Sequence, residues 1–157
     1  MEHALLGGLI FAFAAASAAA QAAGPGLSWF GNAGGSAGSF FPTCTSLPVT
    51  ALRGDTVTMH VWGDVGSPFV LGTAATATQC VPIPGFGNGL VLDLPASVLV
   101  GGLLTQISPC LSCPPGFTSL AFVVPATLPI GTTAAFQAVG FGNSQLAFTV
   151  AITATVQ

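Results

Sequence analysis

Apolar and polar residues alternate along most of the chain after Leu47, and this alternation predicts β-strands. The clearest case is segment 146–157, in which the even positions carry large apolar residues or alanine, and the odd positions carry alanine, threonine or glutamine. Because successive side chains of a strand point to opposite faces, this segment is predicted to have one core face and one neutral-polar face.

A second alternation lies at Thr56–Trp62, where valine and methionine occupy the odd positions. His60 and Trp62 share the other face with the threonines, so we expect them on the side opposite the core. Glycine and proline interrupt the apolar runs every 8–15 residues, and no helical periodicity follows residue 26. These features predict an all-β fold, an antiparallel β-sandwich of Greek-key or jelly-roll type with seven to nine strands. The other strands are expected at 69–72, 90–94, 103–107, 119–124 and 133–139.

The first residues have the pattern of a secretory signal peptide. An apolar run from Ala4 leads to the small-residue cleavage motif Ala20-Gln21-Ala22, and Gly24-Pro25-Gly26 then breaks any helix. We expect residues 1–22 to form a signal helix that is cleaved after Ala22, although a retained anchor is the alternative. Residues 23–46 are expected to be an irregular Gly/Ser-rich segment, and 47–157 the sandwich domain.

Charge is scarce. Only 3% of the residues are charged against 52% hydrophobic, with one Lys or Arg in the whole chain and a net charge of −3. Nucleic acid is therefore an improbable partner, because phosphate neutralisation needs clustered basic residues. No apolar run after the leader is long enough to span a membrane, so no membrane span is expected after cleavage. A neutral surface offers little repulsion between copies, which favours self-association.

The four cysteines, Cys44, Cys80, Cys110 and Cys113, are an even set in a chain predicted to be exported, which favours disulfides. Three pairings are open, and a local Cys110–Cys113 ring that leaves Cys44 with Cys80 is slightly favoured. The spacing does not favour a zinc site, and the proline-rich surroundings do not favour a redox motif. No metal and no other cofactor is expected.

Catalytic patterns are weak. Gly34–Gly38 formally matches a nucleophile elbow around Ser36, but the required strand and helix are not predicted. A calcium site from Asp55 and Asp64 is a weak alternative, since no Asp-rich loop is present. The tripeptide at 53–55 spells Arg-Gly-Asp but is ordinary turn chemistry before a strand. We therefore predict no enzymatic activity.

Phe-Gly-Asn recurs at 30–32, 86–88 and 141–143, which indicates hairpin turns, with a shared ligand-binding rim as the less favoured alternative. If the protein binds a ligand, Trp62, His60, Phe86 and Phe141 are the expected ligand-facing residues, and Trp29 is a further exposed aromatic candidate.

Six segments follow one another in a recognisable layout between Pro48 and the C-terminus: 53–59, 67–72, 79–80, 129–131, 136–138 and 143–146. In this layout the stretch resembles the short β-sandwich domains at the C-terminal ends of exported bacterial cell-surface proteins. The resemblance implies an extracellular accessory module and transfers no site residues.

Two functions fit these observations. The first is a secreted, non-enzymatic structural or adhesive surface protein that self-associates or packs in the cell envelope. The second is an extracellular module that binds carbohydrate or another surface ligand.

Overall fold

A computed structural model describes residues 24–157 and contains thirteen β-strands and no helix within that range. The predicted signal peptide lies outside the described residues. Between residues 24 and 157 no helix is long and apolar enough to cross a membrane. The strands are β1 (Gly26–Gly31), β2 (Ser36–Ser39), β3 (Ser46–Ala51), β4 (Thr56–Gly63), β5 (Pro68–Ala74), β6 (Val81–Pro82), β7 (Gly89–Leu90), β8 (Ser97–Leu103), β9 (Gln106–Ile107), β10 (Gly116–Val123), β11 (Thr133–Gly142), β12 (Gln145–Phe148) and β13 (Ala151–Val156).

Two sheets pack face to face. Sheet A has the strand order β2-β1-β4-β10-β9, and sheet B has the order β3-β13-β11-β5-β8, with β12 also paired to β11. All pairs in these sheets are antiparallel except β3 with β13, which is parallel. The predicted all-β class is confirmed, and the mostly antiparallel sheets are consistent with the predicted β-sandwich. The expected count of seven to nine strands is wrong, because residues 24–157 form thirteen strands, several of only two residues that the alternation does not mark.

The core lies between the sheets because each central strand turns its apolar positions inward. In β4, Val57, Met59 and Val61 are fully buried, as the alternation predicted. Sheet B supplies the opposite layer, in which Leu71 and Ile152 are also fully buried.

The N-terminal part of the domain differs from the expectation of an irregular segment. Residues 26–31 form β1, which lies inside sheet A between β2 and β4. The short pattern Leu27, Ser28, Trp29, Phe30 is itself an alternation, with Leu27 and Trp29 buried and Phe30 exposed. Glycine-rich flanks conceal this strand in the sequence because glycine lowers strand propensity.

The last strand is not continuous. It is divided into β12 and β13 at Thr149 and Val150, and both residues are buried. The Thr149 hydroxyl accepts the N–H of Ala138 at 3.0 Å, in place of a regular ladder bond. The face formed by the odd-numbered residues of 146–157 was predicted to be neutral-polar, but at Thr149 it is buried.

The segment around Leu92 packs on the outer face of sheet B. The predicted strand 90–94 is instead the end of β7 followed by a coil, and its Leu92 packs with Ala74 and Ala135 in a second small apolar cluster. The predicted strand 103–107 is likewise divided: Leu103 ends β8, Gln106 and Ile107 form β9, and residues 104 and 105 connect the two strands. Both errors fall on short apolar runs, where periodicity is a weak guide.

Two disulfides are present, Cys44–Cys80 and Cys110–Cys113, which is the pairing that the sequence slightly favoured. The first joins the segment before β3 to the segment before β6, and the second closes the loop between β9 and β10.

Candidate ligand-binding face

The outer surface of sheet A carries a group of aromatic side chains, which we call the aromatic face: Phe30, Phe40, His60, Trp62 and Phe117. His60 and Trp62 occupy alternate positions of the central strand β4, on the side opposite its buried residues. Phe117 lies directly opposite Trp62 on β10, and Phe30 lies on β1. Period-two alternation on three neighbouring strands thus places these side chains on one surface.

The rings of the aromatic face form a connected group. Trp62 and Phe117 are stacked, with centroids 4.8 Å apart and planes 23° apart. The His60 ring lies 5.7 Å from Trp62 and 5.8 Å from Phe117. Phe30 contacts His60 at 5.4 Å and Phe40 contacts Trp62 at 5.2 Å, both edge to face. These are favourable aromatic geometries, so the group holds its rings in fixed positions.

Serine hydroxyls fix the two polar rings. The indole N–H of Trp62 donates to Ser28 Oγ at 3.1 Å, and Ser28 is buried. His60 Nδ1 is hydrogen bonded to Ser119 Oγ at 2.7 Å. Partial burial lowers the pKa of His60, so the imidazole is neutral at neutral pH. A neutral imidazole both donates and accepts hydrogen bonds, and it adds no charge to the face.

An open depression of about 640 Å³ adjoins these rings. It lies over β1 and β2 and is bounded by Trp62, Phe30 and Phe40, together with the exposed Phe41. Ser36 adds a hydroxyl-bearing side chain to its lining. The volume falls within the range of small-molecule sites, and the lining is apolar with a few polar groups.

Two of the four ligand-facing candidates lie on this face, and two do not. His60 and Trp62 are brought together as adjacent outward positions of β4. Phe86 is stacked on Phe148 at 4.9 Å on the side of sheet B, and Phe141 lies in β11 opposite Leu146.

Trp29 was wrongly expected to be exposed: it is 1% accessible and packs in the core against Phe122 and Phe136. Its neighbour Phe30 is the outward-facing aromatic residue of β1.

Four further residues belong to the aromatic face or to its hydrogen bonds but were not predicted from the sequence: Phe40, Phe117, Ser28 and Ser119. Phe117 and Ser119 occupy alternate positions in the run before Val123. This spacing predicts that they share one face of a strand, but it does not show which strand is the neighbour. Only the pairing of β10 with β4 shows that they lie opposite Trp62 and His60.

The candidate calcium ligands do not meet. Asp55 Oδ2 accepts the N–H groups of the Ala33–Gly34 turn, both at 3.1 Å. Asp64 accepts those of the Asn143–Ser144 turn, at 3.0 and 2.7 Å. The two carboxylates flank opposite ends of β4, about 25–30 Å apart for an eight-residue strand. Among residues 24–157 no group of His, Cys, Asp and Glu is arranged to hold a metal ion.

The remaining chemical candidates have structural roles. Gly54 adopts a φ of 77° and donates to the Val124 carbonyl at 2.8 Å, so the tripeptide around it is a turn between β3 and β4. Ser36 lies in β2 opposite Phe30, not at a turn between strand and helix. Asp93 accepts hydrogen bonds from Thr76 and Thr78, and these lower the pKa of its carboxyl.

Comparisons with known proteins give little to set beside this geometry. No protein-family model and no curated protein sequence matches the chain. Among solved structures, a chitin binding domain from Burkholderia pseudomallei overlaps at a TM-score of 0.36 with 14% identity, over 69% of this chain and 56% of that chain. The overlap therefore spans little more than half of that protein, and at this TM-score it assigns neither a fold family nor a ligand.

Proposed function

We propose that this protein is an extracellular, non-enzymatic adhesive module that binds neutral carbohydrate through its aromatic face. The observation that carries the proposal is the stacked Trp62–Phe117 pair on the outer surface of a rigid sheet, next to the open depression. Sugar rings have apolar C–H faces that lie flat on such aromatic surfaces, and their hydroxyls need nearby polar groups.

The polar groups around the rings suit an uncharged, hydroxyl-rich ligand. Neutral His60 and the serine hydroxyls both donate and accept hydrogen bonds. The only Lys or Arg of the chain, Arg53, lies in the turn before β4 and not on the aromatic face. A site without a cation has no partner for a carboxylate or sulfate, so we expect neutral glycans to bind better than acidic ones.

Other features of the chain support an extracellular location and a role at the cell surface. The predicted signal peptide, the two disulfides and the resemblance of residues 48–157 to exported cell-surface domains all suit an extracellular setting. Three aspartates of the described chain accept backbone or hydroxyl hydrogen bonds in loops, which suits a binding role better than acid–base catalysis.

The test is binding of the disulfide-bonded protein to insoluble chitin, cellulose, xylan and mannan, with polygalacturonate as an acidic comparison. We expect retention on at least one neutral polymer and a loss of affinity of about tenfold or more in Trp62→Ala and Phe117→Ala, the size of a hot-spot effect. Phe86→Ala is the matched control, because it removes a ring that stacks outside the aromatic face.

Tryptophan fluorescence gives an independent measurement. Trp29 is buried in the core while Trp62 is partly exposed, so a ligand on the aromatic face changes the emission of Trp62 alone. Retention of the fluorescence response in Trp62→Phe, or equal loss of binding in Phe86→Ala, would contradict the proposal. So would the absence of binding to every neutral polymer.

A further inference from the structure

β8 is an edge strand of sheet B with an unpaired side. It pairs with β5, and no other strand of residues 24–157 pairs with it on the far side. An unpaired strand edge presents a row of free N–H and C=O groups that another strand can use.

The pairing with β5 shows which backbone groups of β8 are free. Leu103 lies opposite Pro68, which has no N–H, so this is a non-hydrogen-bonded pair. The backbone N–H of the next residue, Leu104, points towards β5 and donates to the Ser67 carbonyl at 3.0 Å. Because the direction alternates along an antiparallel strand, the N–H and C=O groups of Leu103 and Gly101 point away from β5.

The side chains of this strand are unusually exposed for apolar residues. Val98, Leu99 and Leu103 are 73%, 52% and 55% exposed, on a sheet that is otherwise well packed. The strand has no proline and no charged residue, which are two of the devices that protect an edge from pairing, and its register with β5 shifts once, between Leu71 and Gly72. The exposed edge of β8 therefore has both the backbone groups and the apolar surface of an interface.

We propose that β8 is a self-association edge, at which the same strand of a second copy pairs with it in antiparallel orientation. A two-fold axis through Gly101 satisfies both free Gly101 groups. It also sets Leu99, the residue at which the register with β5 shifts, opposite Leu103 of the other copy. Each copy contributes the same surface, as a closed two-fold contact requires. The resulting sheet runs continuously through both molecules.

The absence of charge near β8 favours a second copy of this chain as the partner at this edge. The chain has no charged residue from Leu94 to Gly116, so two copies bring no like charges together at this edge. An acidic or basic partner would find no counter-charge there, and burying its own charge would cost free energy. An identical neutral strand avoids both costs.

The expected contact is weak. Seven residues on each copy form a smaller interface than the standard of about 800 Å² per partner, so we expect dissociation in the range of about 1 μM to 1 mM. Pairing would place two aromatic faces on one assembly, and a polymeric glycan could then be bound at two sites.

Sedimentation of the disulfide-bonded protein across that concentration range tests the proposal. Leu103→Lys adds a charge to the edge, and Gly101→Pro removes an outward N–H without removing a bond to β5. We expect each to weaken the dimer by at least about tenfold. Ile130→Lys is the matched control, since Ile130 is 67% exposed but lies in the loop between β10 and β11, and it should dimerise like the parent.

Amide hydrogen exchange identifies the register. Raising the protein concentration should slow exchange at Gly101 and Leu103 by at least about tenfold, as expected when free amides enter a ladder. A protein that stays monomeric throughout, an equal effect of Ile130→Lys, or protection confined to other strands would overturn the proposal. Leu103→Lys should keep its glycan affinity per site, so a failure here is separable from a failure of the carbohydrate proposal.

Discussion

His60 and Ser119 lie directly opposite each other on β4 and β10, and their side chains are joined by a hydrogen bond of 2.7 Å. The bond fixes the imidazole between Phe30 and Phe117 on the aromatic face. Burial in this group lowers the pKa of His60 from its ordinary value of 6.5. The folded structure therefore favours the neutral imidazole, and protonation of His60 lowers the stability of the fold.

Stability should depend on pH through His60. The unfolded chain takes up its proton near 6.5 and the folded protein only at a lower pH, so the free energy of unfolding should fall as pH decreases from 6.5 towards the folded pKa. Above 6.5 this contribution should be constant. Urea unfolding between about pH 7.5 and pH 5 measures the slope, and NMR titration of His60 gives the pKa directly.

The matched variant for this test is His60→Gln, which keeps a hydrogen-bonding side chain but does not titrate. Its unfolding free energy should lose most of the slope in that interval, because the imidazole that takes up the proton is gone. A folded-state titration of His60 above 6.5 would show that burial does not control this group.

Gln137 should be a stability hot spot. Its buried amide accepts the N–H of Val91 at 2.8 Å and donates to the carbonyls of Gly89 and Thr149 at 3.1 and 2.9 Å. Gln137→Leu leaves these backbone groups without partners, so we expect a loss of about 3 kcal/mol or more in the free energy of unfolding.

Chemical denaturation of Gln137→Leu beside Gln106→Leu checks this expectation. Gln106 is exposed in β9, and its replacement should change stability by no more than about 0.5 kcal/mol. Similar losses in both variants would mean that the network around Gln137 contributes little.

The two disulfides should contribute unequally to stability. Cys44–Cys80 closes a loop across 36 positions, and Cys110–Cys113 closes one across 3. From loop-closure entropy, replacing both cysteines of a pair by serine should cost about 4 kcal/mol for the first and about 2 kcal/mol for the second. Denaturation of the two double-serine variants measures the difference, and non-reducing peptide mass mapping checks the pairing. Equal losses, or a mapped Cys44–Cys110 bridge, would refute this prediction.

The sequence predicts which side chains of one strand share a face, but it does not predict which strands lie side by side in the candidate site. The alternation around Val57 placed His60 and Trp62 on the outward side of β4, because side-chain direction in a strand has a period of two. The same rule was not enough at Trp29 and Phe30, where two adjacent aromatics must point opposite ways and only the register decides which is buried. Phe86 was a ligand-facing candidate as an expected exposed aromatic, but it stacks on Phe148, away from the aromatic face.

Sequence alone determined the all-β class, the faces of β4 and the near absence of charge, since these depend on local periodicity and composition. Only the tertiary structure decided that Phe117 and Ser119 lie beside Trp62 and His60, and that β8 is left at an edge. The first relationship depends on the pairing of β4 with β10, whose partners are more than fifty positions apart in the chain, and the second depends on the pairing of β8 with β5 alone. Local alternation gives each strand a face, but hydrogen bonding between distant strands chooses its neighbours.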